Sequence, residues 1–554
     1  MAKYSIGIDF GTLSGRAVIV NVTTGEEIAS EIYEYPHGVM DEILPSGERL
    51  DHDWALQHPQ DYIDVLKNTV PKLLQETGIN PSNIIGVGTD FTACTLIPVK
   101  ADGTPLCFLP EYINEPHAYA KLWKHHSAQD EANKVNEIAK NMGEDWIDIY
   151  GGKVSSEWVI PKIWQVLDEA PQIYDAADKF IEAGDWITWQ LTGVESRNSC
   201  AAGYKAFWNK RLGYPSNEFF RALDPRLENV MDNKLSRDIS TLGTKAGEID
   251  DKAAILTGLK EGTAVSVSNI DAHAGVPATG VDSPGKMFII IGTSTCHLTL
   301  SEEERRIPGI SGVVEDGIIP GFFSYEAGQA CVGDHFEWFI ENCLPAIYLE
   351  GAKRQGMNVH AYLREKVERQ RPGESGLLAL DWWNGNRSVL NDADLSGMIL
   401  GMTLQTKPEE IYRALIEATA YGTRVIIDTF KEYGVPVDEL YAAGGIAHKD
   451  PMLMQIYADV LNMPIKITGA EQGPALGSAM FGAVAAGRDR GGHDTIFEAI
   501  DNMAPKEDKI YYPILENVQL YDRLFSEYKI LHDYFGAGAN DVMKRLKDIK
   551  LSNE

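Results

Sequence analysis

Three aspartates stand where short apolar runs of the sequence end. Asp9, Asp90 and Asp271 each follow a run that the residue types predict to be a buried strand. Ligands of open α/β sheets collect at the carboxyl ends of strands, where a carboxylate can hold Mg²⁺ or accept a proton from a hydroxyl. An aspartate before a helix more often serves only as an N-cap, so its place along the chain has to decide its role.

Two similar turns could hold phosphate groups. Residues 4–20 read as strand, polar glycine turn and strand, and residues 286–300 repeat that pattern with a second Gly-Thr pair. Glycine lets the backbone approach an anion closely, and hydroxyls and amides of a turn can bond phosphate oxygens. A plain hairpin turn is the alternative for either one alone, but a matched pair favours phosphate binding. The candidate phosphate ligands are Gly11, Thr12, Ser14, Arg16, Gly292, Thr293 and Ser294.

A glycine pair late in the chain could support an adenine ring. Gly444 and Gly445 lie between a predicted strand and a helix that Asp450 caps and Pro451 begins. Such a pair leaves a flat surface beside the backbone, and His448 follows in the same segment. We therefore predict nucleotide contacts at these three positions, with a merely tight strand-to-helix connection as the alternative.

The repeated hairpin indicates an α/β fold duplicated in tandem. We predict an N-terminal domain over residues 1–268, which contains the first phosphate hairpin, and a nucleotide-binding C-terminal domain over 269–487. Residues 488–554 are predicted to form a helical extension packed on the body. One face of its helix carries an apolar stripe, formed by Leu520, Leu524, Phe525, Tyr528 and Leu531.

The composition excludes several classes of function. The chain has 554 residues with 81 acidic and 50 basic side chains, a formal net charge of −31. Such a field repels phosphate backbones and anionic membranes, so neither nucleic acid nor a membrane is an expected partner. The six cysteines form no Cys-x-x-Cys pair, and the longest apolar runs are too short to cross a bilayer. We therefore expect a cytoplasmic enzyme with reduced thiols.

Several motifs resemble one known family. Asp-Phe-Gly-Thr from residue 9, Ile-Gly-Thr-Ser from residue 291 and Ala-Gly-Gly from residue 443 resemble the phosphate-1, phosphate-2 and adenosine elements of the actin, Hsp70 and sugar-kinase superfamily. Segments 185–193, 396–404 and 411–422 resemble signatures of the FGGY carbohydrate kinases. The resemblance runs from residue 4 to about residue 486. It implies two duplicated actin-like (ribonuclease H-like) α/β domains with a cleft between them, and it implies ATP and Mg²⁺ as cofactors.

The resemblance also implies roles for individual residues. Asp271 would be the general base for the sugar hydroxyl and, with Asp9, a ligand of Mg²⁺. The residues that would bind the sugar are Ala93 through its backbone, Trp123, Lys205, Asp271 and Glu326. Lys205 and Glu326 stand among apolar neighbours, yet each alone is about as often structural. This chain has Ser268-Asn269-Ile270 where many members have glycines, which puts nearby backbone contacts in doubt.

The predicted reaction is the ATP-dependent phosphorylation of a ketopentose. Segments 89–95 and 152–162 resemble those members that convert L-ribulose to L-ribulose 5-phosphate, a step of arabinose catabolism. Another sugar or polyol (D-ribulose, xylulose or glycerol) is one alternative, and an actin- or Hsp70-like ATPase is another. The expected partners are the sugar and ATP, and the sequence leaves a homo-oligomer open. We interpret His125-His126 as a surface pair rather than a metal site.

Overall fold

The computed structural model describes residues 2–470, 472–506 and 509–552. We name the part of the chain before the second hairpin the first lobe. Its strands and helices, in chain order, are β1 (Tyr4–Phe10), β2 (Ser14–Asn21), β3 (Glu27–Glu34), β4 (Leu56–Gln57), α1 (Pro59–Thr77), β5 (Ile84–Phe91), β6 (Leu96–Val99), β7 (Ala120–Lys121), α2 (Gln129–Met142), α3 (Val159–Glu169), α4 (Pro171–Ala176), β8 (Lys179–Glu182), α5 (Ala183–Thr192), α6 (Ser199–Lys205), α7 (Asn217–Leu223), α8 (Val230–Asn233), β9 (Lys245–Glu248), α9 (Asp251–Thr257), β10 (Ala264–Ser266), β11 (Asn269–Ile270) and α10 (Asp271–Ala278).

The second lobe begins with the second hairpin. Its strands and helices are β12 (Gly285–Ile291), β13 (Thr295–Ser301), β14 (Gly312–Glu315), β15 (Phe323–Gln329), α11 (Gly333–Cys343), α12 (Ala346–Arg354), α13 (Val359–Val367), β16 (Leu378–Leu380), β17 (Met398–Leu400), α14 (Pro408–Glu432), β18 (Val437–Ala443), α15 (Gly445–Lys449), α16 (Pro451–Leu461), β19 (Ile465–Ile467), α17 (Gly473–Ala486), α18 (Ile496–Met503), β20 (Lys509–Tyr511), α19 (Leu515–Gly536) and α20 (Val542–Leu551).

The two lobes contain matching mixed sheets. In the first lobe the strands lie in the order β3-β2-β1-β5-β10-β9, with β11 also paired to β5. In the second lobe the order is β14-β15-β13-β12-β18-β19-β20. In each sheet the strand that enters the Gly-Thr turn pairs antiparallel with the strand that leaves it and parallel with a later strand. The duplicated α/β fold predicted from the repeat is confirmed.

Helix α17 ties the two lobes together. It comes late in the chain but packs on β1 and β5 of the first sheet. A Cβ atom at Gly7 would lie 1.7 Å from the carbonyl oxygen of Ala475, and one at Gly88 would lie 1.9 Å from that of Ser478. Only glycine permits this close approach, so α17 packs directly on the sheet because Gly7 and Gly88 have no side chains. The predicted boundary at residue 268 stays a prediction.

The C-terminal helix α19 packs on the second lobe through polar as well as apolar groups. Of the predicted stripe, Tyr528 is fully buried and its other members are half-buried. Tyr528 donates its hydroxyl to Oδ1 of Asp381 over 2.8 Å. Tyr521, which the stripe omitted, is also fully buried and donates to Glu417 over 2.9 Å. Within the described ranges, no helix is both long and apolar enough to span a membrane.

Candidate active site

The three aspartates of the sequence analysis meet at one edge of the first sheet. Asp9 and Asp90 are opposite each other in the parallel register of β1 and β5. Strand β11 pairs with β5 beside Asp90, and Asp271 follows β11 as the first residue of α10. The edge faces the cleft between the lobes, so three carboxyl groups share a small region there.

Burial raises the pKa of each of these carboxyl groups, and the charge of Asp9 raises the pKa of Asp90 and of Asp271 further. Burial, reinforced by the charge of Asp9, raises the pKa of Asp271 to about 7. Burial also raises the pKa of Asp9, although a hydrogen bond with Asp90 and the charge of Arg16 act in the opposite direction. The pKa of Asp90 lies well above its ordinary value because of burial and the charge of Asp9. A region with this surplus of negative charge favours a bound cation.

Each Gly-Thr turn is closed by a backbone hydrogen bond from its glycine, but the two bonds differ in span. The amide of Gly11 donates to the carbonyl of Ser14 over 2.9 Å, three residues on, whereas that of Gly292 donates to the carbonyl of Ser294 over 3.0 Å, two residues on. The hairpins therefore repeat in strand pairing, while the first turn is one residue longer than the second.

Side chains from distant segments hold the first turn. Nε1 of Trp123 donates to Oγ1 of Thr12 over 3.1 Å, and Nε2 of Gln57 donates to the backbone carbonyl of Thr12 over 2.7 Å. Arg16 lies opposite Asp9 in the β1–β2 hairpin and donates to Gln472, just before α17. Gln57 carried no signal in the sequence, since it ends β4, a strand of only two residues that is too short to show a periodic pattern.

A cavity of about 680 Å³ opens beside the second turn. It is large enough for a nucleotide. Gly292, Thr293 and Gly445 line it, as the sequence predicts. Gly444 has a φ of 100°, and a Cβ there would lie 2.3 Å from the carbonyl oxygen of Ile291, so only glycine fits.

Other residues for which the sequence predicts nucleotide contacts, such as Gly444 and His448, are not among the residues that line this cavity. His448 is exposed on α15, while the next residue, Lys449, does line the cavity. The lining also includes Asp334, His360 and Arg364, which the sequence analysis missed because no motif marks them.

Lys205 and Glu326 form a buried ion pair across the lobes. Nζ of Lys205 donates to Oε2 and Oε1 of Glu326 over 2.9 and 3.3 Å. Burial alone would raise the pKa of Glu326, but the charge of Lys205 and a contact with His273 hold it well below its ordinary value. Both partners line a second cavity of about 130 Å³. The structure therefore brings together two residues that the sequence placed separately.

Two charged side chains fix the turn that contains Ala93. Cys94 has a φ of 57°, a left-handed conformation that is uncommon for a residue other than glycine. Its amide donates to Oε2 of Glu182 over 3.2 Å, and its carbonyl accepts from Nζ of Lys162 over 2.7 Å. Nζ of Lys162 also donates to the carbonyl of Leu122 over 2.8 Å, next to Trp123. Lys162 thus connects two segments for which the sequence predicted sugar contacts.

The surface interpretation of His125-His126 is wrong for His125. His125 is fully buried, and its Nε2 lies 2.9 Å from Oε1 of Gln165. The two histidines follow β7 in an irregular segment rather than a helix, so they point in different directions. His126 is exposed.

The comparisons with known proteins agree with this geometry. Residues 4–276 match the N-terminal domain of the FGGY family of carbohydrate kinases, and residues 287–486 match its C-terminal domain. The chain therefore belongs to this family. It is a carbohydrate kinase, which transfers a phosphoryl group from ATP to a hydroxyl of its substrate.

Proteins named ribulokinase are similar over nearly the full length. The ribulokinase of Bacillus licheniformis is 59% identical over 539 residues, which are 97% of this chain and 98% of the relative. That of Geobacillus thermodenitrificans is 59% identical over 549 residues, with 99% and 97% covered.

Solved structures show the fold of the family. The xylulose kinase of Rhodospirillum rubrum has a TM-score of 0.79 at 19% identity, covering 96% of this chain and 98% of its own. The gluconate kinase of Lactobacillus acidophilus has a TM-score of 0.78 at 18% identity, with 97% and 99% covered.

Proposed function

We propose that this carbohydrate kinase phosphorylates L-ribulose to L-ribulose 5-phosphate, as a step in arabinose catabolism. The observation that carries the proposal is the buried Lys205–Glu326 pair close to Asp271, combined with near-full-length similarity to proteins named ribulokinase. A polyol needs both donors and acceptors, and this arrangement supplies them beside a carboxylate that can accept a proton.

Asp271 is the proposed general base. A sugar hydroxyl is a poor nucleophile at neutral pH, and a carboxylate within hydrogen-bond reach can take its proton as the oxygen attacks the γ-phosphorus of ATP. The new bond joins that oxygen to phosphorus, the bond between phosphorus and the bridging oxygen of ADP breaks, and the proton passes to Asp271. A pKa of about 7 suits a group that has to accept a proton at neutral pH.

The sugar contacts extend from Asp271 to the ion pair. Lys205 would donate to sugar hydroxyls and Glu326 would accept from them, while the backbone of Ala93 supplies a further contact. Trp123 would line the pocket with its ring. Because its Nε1–H donates a hydrogen bond to Oγ1 of Thr12, Trp123 would also connect the sugar to the first phosphate turn.

Asp9 and Asp271 are the residues that would hold Mg²⁺. Among the described residues, no group of three or more histidine, cysteine or acidic side chains has metal-site geometry. Mg²⁺ commonly takes only one or two carboxylates and completes its shell with water and phosphate oxygens, so these two carboxylates fit the ion. When bound, the ion would neutralise charge that develops on the phosphates.

The two turns are proposed to hold the phosphates of ATP. Gly11, Thr12, Ser14 and Arg16 come from the first hairpin, and Gly292, Thr293 and Ser294 from the second. Gly444, Gly445 and His448 are proposed at the adenosine. A cytoplasmic location remains a prediction from the sequence, which leaves a homo-oligomer open.

A sugar panel tests the proposed function. ADP release from Mg-ATP is measured with L-ribulose, D-ribulose, xylulose, glycerol and no sugar. The proposal expects the highest kcat/KM with L-ribulose and little turnover without sugar. A higher kcat/KM with another compound would contradict L-ribulose as the substrate, and equal turnover in all samples would contradict coupling to a sugar.

A further inference from the structure

Arg387 places an unpaired guanidinium in the cavity of Lys205 and Glu326. Arg387 lies in the irregular segment between β16 and β17 and lines the 130 Å³ cavity. Across the ranges 2–470, 472–506 and 509–552, it has no hydrogen-bond or ion-pair partner within bonding distance. A guanidinium carries five donors, and its partial burial removes water from some of them.

Glu157 places a carboxylate in the same cavity. It belongs to the segment 152–162, to which the reaction described above assigns no role. The nearest cationic nitrogen to its carboxylate is Nδ1 of His126, 3.9 Å from Oε1, and the Glu157 side chain is 24% exposed. Its oxygens therefore retain capacity to accept hydrogen bonds.

The Lys205–Glu326 pair connects Asp271 with the cavity. Lys205 and Glu326 line the cavity together with Arg387 and Glu157, whereas Asp271 is not among its lining residues. The charges of Glu326 and Lys205 also act on the carboxyl group of Asp271. A ligand that has its reacting hydroxyl at Asp271 and contacts the ion pair would extend from there into the cavity that Arg387 and Glu157 line.

The far end of the cavity is held by a contact between the lobes. Nζ of Lys153 donates to the carbonyl of Asn391 over 3.3 Å, and both residues line the cavity. This hydrogen bond joins the two backbone segments that carry Glu157 and Arg387, a few residues from each side chain. The segments are therefore in contact before a ligand arrives, while the two side chains keep free hydrogen-bonding groups for it.

We propose that Arg387 and Glu157 bind the hydroxyl and carbonyl groups of the sugar at the end remote from the phosphorylated hydroxyl, and so select five-carbon sugars over shorter polyols. The inference rests on the proposed function as a sugar kinase. Arg387 supplies donors for a carbonyl or hydroxyl oxygen and Glu157 accepts from a hydroxyl, a combination that suits the adjacent hydroxyl and carbonyl at that end of a ketopentose. A three-carbon polyol that reacts at Asp271 would not reach them and would leave both groups unpaired.

The test compares Arg387→Gln and Glu157→Gln with wild type in kinetics and in sugar binding. For each protein, kcat and KM are measured with L-ribulose, glycerol and ATP, and the Kd for L-ribulose is measured by isothermal titration with a non-hydrolysable ATP analogue.

We expect KM and Kd for L-ribulose to rise at least about tenfold, the effect of losing a hydrogen bond to a charged group. The kcat should change less than about threefold and the KM for ATP should be unchanged. The preference for L-ribulose over glycerol should fall with the rise in KM, and Arg387→Lys should recover part of it.

Arg369→Gln is the matched control, because Arg369 is exposed on the surface. Unchanged KM and Kd for L-ribulose in both variants would overturn the inference. A fall in kcat that is equal for L-ribulose and glycerol, with KM unchanged, would also overturn it, since a merely structural role predicts that result. If Arg387→Gln fails to fold, Glu157→Gln decides. A wild type that prefers another five-carbon sugar would contradict L-ribulose as the substrate but not this inference, which is then tested with that sugar.

Discussion

Nε1 of Trp123 donates to Oγ1 of Thr12 over 3.1 Å, and this hydrogen bond joins a segment of the proposed sugar pocket to the turn proposed to bind phosphate. The two residues are 111 positions apart in the chain. A change on the sugar side can therefore reach the turn through one side chain.

Trp123→Phe tests this connection. The variant keeps most of the ring but removes the donor, so Thr12 loses one of the two groups that hold its turn. We expect kcat to fall about three- to tenfold, as for the loss of one neutral hydrogen bond, with a small effect on the unfolding midpoint. Steady-state kinetics with L-ribulose and Mg-ATP measure the change. Trp189→Phe is the control, because no described residue accepts a bond from its indole nitrogen. Equal kcat values in all three proteins would show that the connection does not matter for turnover.

Lys162→Met tests the support of the Ala93–Cys94 turn. Lys162 is fully buried, and its removal leaves the carbonyls of Cys94 and Leu122 without their donor. We expect the free energy of unfolding to fall by about 2 kcal/mol and the KM for the sugar to rise about tenfold. Urea unfolding and steady-state kinetics measure the two effects. Lys140→Met, at an exposed position at the end of α2, is the control. A sugar KM that stays at the wild-type value would contradict the positioning role of Lys162.

Glu182→Gln tests how pH acts on the same turn. Burial, with the charge of Asp185, raises the pKa of Glu182 from 4.5 to about 7. Because the folded state holds this proton more tightly than the unfolded state, Glu182 lowers stability as pH rises from about 4.5 to about 7. The glutamine keeps an acceptor for the Cys94 amide but cannot ionise. Its stability relative to wild type should therefore increase over that window, by about 3 kcal/mol in total, and stay constant above it.

Urea unfolding of both proteins at several pH values between 4.5 and 8 measures this difference. Glu365→Gln, at an exposed position of α13, should show no such dependence. A difference between Glu182→Gln and wild type that does not vary with pH would contradict the raised pKa.

Tyr528→Phe tests how α19 is attached to the second lobe. Asp381 is 5% exposed and receives hydrogen bonds from Tyr528 and from Nε2 of Gln329 at 2.8 and 2.9 Å. Loss of the hydroxyl leaves one oxygen of a buried carboxyl group without a partner, so we expect the free energy of unfolding to fall by about 2 kcal/mol. Chemical denaturation measures it, with Tyr512→Phe, whose side chain is 63% exposed, as control. An equal loss in both variants would refute a specific contribution of Tyr528.

The sequence was most informative where function imposes a local pattern. Each Gly-Thr turn lies within a few residues of the chain, so both could be identified, although the different spans of their Gly11 and Gly292 hydrogen bonds could not be predicted. The aspartates could be placed at a sheet edge because each follows an apolar run. The local sequence pattern was therefore sufficient to predict the duplicated fold.

The residues that support the site could not be predicted in the same way. Lys162 reaches Cys94 across 68 positions, and Glu182 reaches it across 88, so no short motif connects them. Arg387 lies in an irregular segment, where neither helical nor strand periodicity indicates which way a side chain points. These contacts depend on how the lobes and insertions pack, which a single sequence does not reveal.

The most direct test of Asp271 as the general base is the turnover of Asp271→Asn with L-ribulose and Mg-ATP. Asparagine keeps the size of the side chain but cannot accept the proton from the sugar hydroxyl. We expect kcat to fall about 10²- to 10⁴-fold, while the Kd for L-ribulose, measured by titration, changes less than about tenfold. A variant whose kcat stays within about threefold of wild type would contradict the role of Asp271 in the proton transfer.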